Sequence, residues 1–492
     1  MDNLKDILKK TSNLIDKKNY KEAISILLKL IKEIKNIKNI KIDIKIYYLL
    51  YLAFDGLKEI QSAKKYLEKC LKINDKNHIF LNNLANIYLK ESNFIKAEKF
   101  YLKSLENKND YLIGIINIAI LYENTGRLEE AKNFYLKAIN LSPKQISIYF
   151  NLSRIDKNFM NEERIKYLSE LLKDEKIQSV EKAYGYFLLA KNERSQNNFT
   201  KEIEHLEVAH QYIFEMNLKK NNQTLNYWQN IIPIKYDKFS FINENKKNEL
   251  LNFNPIFIIG LPRSGSTMVE AILSSGETII ENLGETNILN NALVITHNEL
   301  KNKENTKIDL DLINYTILKF MKDKKYLNTK NKIFTDKSLE NFFYIEIILR
   351  IFPKAKFINT FRNIEDNIFA IFQQALTKLS WTHSIENILK YVDNYLKIIV
   401  YFKKKYPENI LSLELEELTS KPEETSKKLY AFCNLKWNER VLDFHKRKDL
   451  IISTASNIQI RRNIQKYDHE KYKPYKKILK KFLHKYPWIN KD

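Results

Sequence analysis

The feature that most limits the fold of this chain is a recurrence. The segment LANIYLKESNFIKAEKFYLKSL begins at Leu84, and IAILYENTGRLEEAKNFYLKAI begins at Ile118, 34 residues later. Tyr88 then aligns with Tyr122, Ala97 with Ala131, Tyr101 with Tyr135 and Ser104 with Ala138. A step of 34 residues the other way finds Ala63, Leu67 and Cys70 in SAKKYLEKCLKIN, with leucine in the tyrosine's place. A looser copy surrounds Ala23. Small residues at fixed points let two antiparallel helices approach closely, while Tyr and Leu fill the gap between units. Such units stack into an α-solenoid. Residues 145–212 keep helical periodicity but lose the consensus, as degenerate or capping helices do.

Period 34 with these small residues is the tetratricopeptide pattern, whose concave face usually takes a peptide or protein. The pattern breaks between Met216 and Leu251, where NLKKNNQTLNYW and NENKKNELLNFNP are polar. The expected organisation is a repeat domain over 1–215, a linker over 216–250 and a second domain over 251–492. A chain of 492 residues exceeds one compact core.

The second domain opens on PIFIIGLPRSGSTMVEAILSS, which reads as strand, glycine turn and helix. Gly260, Gly265 and Thr267 have the spacing of the phosphate-loop signature G-x-x-x-x-G-K-[ST], but Ser266 holds the lysine position and Arg263 lies inside the loop. Backbone N–H groups at Gly265, Ser266 and Thr267 are placed to face an anion at a helix N-terminus. Ser264, Ser266 and Thr267 add hydroxyls, Arg263 adds a charge, and Pro262 shapes the turn beside it. The missing lysine argues against a kinase, where that residue and magnesium stabilise the transferred phosphoryl group. A sulfonate carries less negative charge, so its transfer needs no metal clamp, and none is expected here.

At these residues the chain resembles sulfotransferases that use 3′-phosphoadenosine 5′-phosphosulfate (PAPS). More closely, it resembles bacterial tetratricopeptide-repeat sulfotransferases, whose catalytic half is similar to protein-tyrosine sulfotransferases. The resemblance implies an α-solenoid followed by a three-layer α/β, P-loop-like domain with a parallel sheet, and PAPS as cosubstrate. It makes GLPRSGSTMVEAIL the 5′-phosphosulfate loop and Glu285, in ENLGETNIL, the catalytic base. Asn287 stands where the tyrosine-sulfating branch has an arginine, so a glycan, lipid or small-molecule hydroxyl stays open beside a peptide tyrosine as acceptor. Lys337 in KIFTDKSLEN takes the place of the cation that stabilises the leaving oxygen, with Asn341 bracing it. Arg362, ending AKFINTFR, becomes the 3′-phosphate ligand. Ala370 and Gln374 stand where the family has a serine and often an arginine on that phosphate. STASNIQIRRNI resembles the late loop that closes over the nucleotide, with Ser456 on the sulfonate or bridging oxygen and Arg461 on the 3′-phosphate. Arg462 and Lys466 are alternates, His383 is a minor candidate base, and Trp381 is either pocket or core.

Composition narrows the rest. The net charge of +23 comes from lysines spread among Asn and Ile, the bias of an AT-rich genome, so no nucleic-acid partner is expected although a polyanionic cosubstrate is attracted. Cys70 and Cys433, the two cysteines, are far apart, which fits a reducing compartment. MDNLKDILKK has no signal-peptide core and no run nears the ~20 apolar residues of a membrane span, so a cytoplasmic location is expected. A degenerate transferase acting as an adaptor, a nucleotide kinase and a nucleic-acid binder are the rival readings.

Overall fold

The computed structural model describes residues 2–33, 40–242, 249–293, 306–323, 332–447 and 456–489; parts of two stretches read above, 243–248 and 453–455, lie outside them. Contacts divide the chain into two compact units, Met1–Glu123 with Arg127–Pro143, and Asn124–Gly126 with Lys144–Asp492.

The first unit is built of helices: α1 (Asp2–Asp16), α2 (Tyr20–Glu33), α3 (Ile40–Gly56), α4 (Ile60–Ile73), α5 (His78–Lys90), α6 (Phe94–Asn107), α7 (Leu112–Thr125, whose last two residues group with the second unit) and α8 (Leu128–Leu141). The recurring small residues do what their size dictates. Ala63, Ala97 and Ala131 are fully buried, as are Cys70, Ser104 and Ala138 one stripe further along. Tyr101 and Tyr135 fill the space beside them, and their hydroxyls donate to Asn86 Oδ1 (2.5 Å) and Glu123 Oε2 (3.0 Å). The turn inside each pair repeats as well, with Lys58, Ser92 and Gly126 in left-handed backbone at the same 34-residue interval.

The second unit begins with α9 (Ile146–Ile155), α10 (Glu162–Leu171), α11 (Ser179–Ser195), α12 (Phe199–Met216) and α13 (Leu218–Asn226). Apolar residues of α11 and α12, among them Phe187, Ile203 and Leu206, share one core with Phe257, Phe342 and Phe372. Polar ties reinforce it. Glu202, fully buried, accepts from Arg194 Nε (2.7 Å), Gln373 Nε2 (3.1 Å) and Tyr475 OH (2.5 Å). After residue 145 these helices turn apolar faces toward the α/β core, and contacts group them with it from Lys144 onward. The stretch read as a linker is folded up to Ile242: Tyr227 and Ile232 are buried, and Gln229 Nε2 donates to the Asn387 carbonyl at 2.8 Å.

The strands are β1 (Phe239–Ile242), β2 (Ile256–Gly260), β3 (Glu281–Asn282), β4 (Thr306–Asp309), β5 (Phe334–Asp336), β6 (Lys356–Phe361) and β7 (Ile410–Glu414). β1 and β4 form a two-stranded parallel ribbon, and the main sheet has the order β3-β5-β2-β6-β7, parallel throughout. β2 is buried on both faces, which is why its sequence is an unbroken apolar run. Phe257 and Ile259 enter the core on one face, with the helices Ile364–Phe372 and Ile385–Lys405. Ile256 and Ile258 enter the other, with α14 (Ser266–Leu273) and the helix Pro422–Phe432. This is the expected three-layer arrangement. From β2 the chain moves first to β3 and β5 on one side and then to β6 and β7 on the other, so the crevice at the C-terminal end of β2 is a topological switch point.

Candidate active site

The loop leaving β2 is shaped by close packing. Gly260 has φ +135°, and a Cβ there would stand 2.3 Å from the Thr360 carbonyl oxygen on the neighbouring strand. Gly265, at φ +90°, caps α14, and its Cβ would meet Leu415 at 2.7 Å. Asn367 Nδ2 donates to the Pro262 carbonyl (2.8 Å) and fixes the outer turn. The Ser264 hydroxyl is used inside the loop, on the Leu261 carbonyl (2.7 Å) and Thr360 Oγ1 (2.8 Å), so Ser264 offers a ligand only its backbone. Ser266 and Thr267 are buried in the first turn of α14.

Two guanidinium groups meet here. Arg263 Nη1 donates to Ser456 Oγ (2.6 Å) and Nη2 to Gln459 Oε1 (2.8 Å), both neutral acceptors. Burial lowers its pKa from the ordinary arginine value; Tyr472 opposes that shift, and the positive charges of Arg362 and Arg154 add to it. Arg362 follows β6. Its Nη1 donates to the Arg263 carbonyl (3.3 Å), Nε to Tyr467 OH (3.1 Å), and Nη2 to the same oxygen. Tyr467 OH in turn donates to Asp366 Oδ2 at 2.5 Å. The Tyr467 and Tyr472 rings lie 4.7 and 5.3 Å from the Arg362 guanidinium. Three of the five N–H groups of Arg362 are thus directed, which leaves an orientated pair for a ligand.

A second group lies across β5. Lys337, 1% exposed, donates from Nζ to Glu285 Oε1 (3.2 Å) and stands 3.7 Å from Glu270 Oε2. Burial works against its charge, but Glu270 and Glu285 outweigh it and raise the lysine's pKa. Glu270 responds chiefly to its own burial, which raises its carboxyl pKa, while Lys337 pulls the other way. Glu285 is the open member of the trio, its side chain 55% exposed. The turn is braced from below: Asp336 accepts from Ser338 N (2.9 Å), Asn341 Nδ2 (3.0 Å) and Thr286 Oγ1. Asn341 therefore braces the turn that carries Lys337. Asn287, in left-handed backbone, donates its N–H to Ser338 Oγ at 2.9 Å.

Among the residues read from sequence, Arg263, Ser456 and Arg362 are linked through one hydrogen-bond network, and Glu285 is paired with Lys337. Arg461 is engaged elsewhere: Nε donates to Asn457 Oδ1 (3.0 Å) and Nη2 to the Asn124 carbonyl (2.8 Å), a residue of the same compact unit. Ala370 is buried in the core. His383 sits 3.1 Å from His210, Nδ1 to Nδ1, and burial pushes the two rings down to about 4 and about 3, which makes His383 a neutral core residue. Trp381 stacks on Tyr391 with centroids 3.8 Å apart and is core as well. Sequence reading passed over Glu270, Asp366, Tyr467 and Tyr472. Only Glu270 left a trace, standing one helical turn after Thr267 on α14.

Residues 255–439 match the model of the sulfotransferase family, and residues 44–77, 80–111 and 115–145 match that of the tetratricopeptide repeat. An uncharacterized protein of Aquifex aeolicus (strain VF5) is 31% identical over 238 residues, 46% of this chain; the chain spans about a third (31%) of that relative's length. Among solved structures, the sulfotransferase domain from the curacin biosynthetic pathway aligns with TM-score 0.30 and 16% identity, covering 45% of this chain and 85% of that one. Sulfotransferase STF1 from Mycobacterium tuberculosis H37Rv aligns with TM-score 0.28 and 11% identity, covering 58% and 92%. The chain carries a sulfotransferase-family domain, matched over residues 255–439, behind a run of tetratricopeptide repeats.

Proposed function

We propose that this chain transfers a sulfonate group from PAPS to an acceptor hydroxyl, with a peptide tyrosine as the acceptor class. The observation that carries the reading is the pair Arg263 and Arg362 at the end of the central strands, held by neutral groups and the tyrosine of an Asp366–Tyr467 relay. Two adjacent guanidiniums held by hydroxyl, amide and carbonyl oxygens repel each other until an anion arrives. A ligand with an anionic group at each end of its ribose would satisfy both. The loop from Gly260 to Gly265, which ends at the first turn of α14, would hold the 5′-phosphosulfate. Pro262, Gly265, Ser266 and Thr267 would line it through backbone and hydroxyl groups.

In the proposed reaction the acceptor oxygen attacks sulfur, the bond from sulfur to the bridging oxygen breaks, and adenosine 3′,5′-bisphosphate departs. Glu285 takes the acceptor's proton, a role its exposure allows. Lys337 stabilises charge on the bridging oxygen as a fixed cation, and Ser456, which accepts from Arg263, would donate to the same group. Arg461 reaches the 3′-phosphate only if it leaves Asn457 and Asn124. The tetratricopeptide repeats supply the kind of surface that holds a protein or peptide. The test is incubation of the whole chain with sulfur-labelled PAPS and a cell extract. Label should pass to a protein tyrosine with the wild-type chain and not with Glu285→Ala. Label appearing with Glu285→Ala at the wild-type rate would exclude Glu285 as the base, and label on a glycan or lipid would exclude the tyrosine.

A further inference from the structure

Lys337 has two carboxylates and not one. Glu285 is the nearer and the more open; Glu270 is 12% exposed and lies on α14, the helix that begins at the phosphate loop. Glu270 and Thr267 are three residues apart and share a helix face, so the counter-charge and the loop move as one element. Thr335 Oγ1 lies 3.0 Å from Asn282 Oδ1 and 3.5 Å from Glu270 Oε1, and its single proton serves one acceptor at a time. Asp336, the strand residue just before Lys337, is a further charged neighbour among the described residues, and its oxygens are engaged by Thr286, Ser338 and Asn341.

This arrangement bears on the reaction. If Glu285 accepts the acceptor's proton, it loses its negative charge at the moment Lys337 is needed as a cation. Without Glu270, an ammonium 1% exposed would then keep only Asp336, whose oxygens are already engaged, and its charged form would be strongly disfavoured. We propose that Glu270 is a positioning residue, the fixed counter-charge that keeps the Lys337 ammonium aimed and protonated while Glu285 changes its charge. The proposal rests on the functional reading above, since it assigns Lys337 a part in transfer.

The experiment uses the whole chain with Glu270→Gln, Lys337→Met and the double variant. Thermal unfolding of the four proteins gives the coupling between the two side chains without any turnover. The pH profile of kcat and calorimetric binding of adenosine 3′,5′-bisphosphate give the functional consequence. Removing a carboxylate beside an ammonium lowers the ammonium's pKa, so the alkaline limb of kcat should fall by about 1–3 pH units in Glu270→Gln. Bisphosphate affinity should hold within about threefold, and Glu270→Gln should destabilise the wild-type background more than the Lys337→Met background. An active wild-type enzyme whose alkaline limb is unmoved in Glu270→Gln overturns the role of Glu270 alone. A wild-type chain that transfers no sulfonate at any pH overturns the functional reading, and the positioning role with it.

Discussion

Arg263 has φ +69°, a backbone region that non-glycine residues avoid at a cost of about 1 kcal/mol or more. The conformation aims its guanidinium at Ser456 and Gln459 and lets its carbonyl accept from Arg362. Two substitutions separate strain from charge. Arg263→Gly and Arg263→Ala remove the same side-chain contacts, so the glycine variant should be the more stable by about 1 kcal/mol in denaturant unfolding, while both lose bisphosphate binding. Equal midpoints would mean that the left-handed backbone carries no strain. Glu340 offers a test by pH. Burial, with Asp336 and Glu285 nearby, pushes its carboxyl up to about 7. The unfolded chain titrates it near ~4.3, so its contribution to stability is complete below about pH 4 and is lost as pH rises through 7. Glu340→Gln should therefore match the wild type in acid and exceed it above pH 7, by on the order of 1 kcal/mol once partial exposure is allowed for. A constant difference across that range contradicts the assignment.

The working element is the run from β2 through the loop to α14. Gly260 carries the tightest constraint in it, since a methyl group would collide with backbone and not with a yielding side chain. Gly260→Ala should cost roughly 2–4 kcal/mol and abolish bisphosphate binding; a variant of unchanged melting temperature would contradict the close approach of β2 and β6. This element was legible in the sequence because each part has a local signature: an unbroken apolar strand, glycines at fixed spacing, then helical periodicity. The 34-residue repeat was legible for the same reason, as Ala63, Ala97 and Ala131 are fully buried at one position of successive pairs. The Arg362–Tyr467–Asp366 relay was not legible. Arg362 and Tyr467 are 105 residues apart, and nothing local marks Tyr467 among the chain's 29 tyrosines. Glu270 was passed over because a single acid on an amphipathic helix looks solvated until β5 is placed beside it.

At the scale of the whole molecule, helical sequence and helical repeat are different things. α11 and α12 belong by contact to the α/β unit, held there by the buried Glu202 and His210. Glu202→Ala should destabilise that unit by about 3–5 kcal/mol, because it leaves Arg194 and Tyr475 without their shared acceptor. A fragment starting at Lys144 should fold and bind adenosine 3′,5′-bisphosphate, whereas one starting at Leu251 should aggregate, having lost part of its core. Equal solubility of the two would contradict the shared core. Among the described residues no helix is long and apolar enough to cross a membrane. The central claim, that Arg263 and Arg362 frame a nucleotide anionic at both ends of its ribose, is tested most directly by calorimetric titration of the whole chain with adenosine 3′,5′-bisphosphate. The expected result is micromolar binding by the wild type, weakened about 100-fold or more in Arg263→Ala and in Arg362→Ala. An affinity that is the same in all three proteins would contradict it.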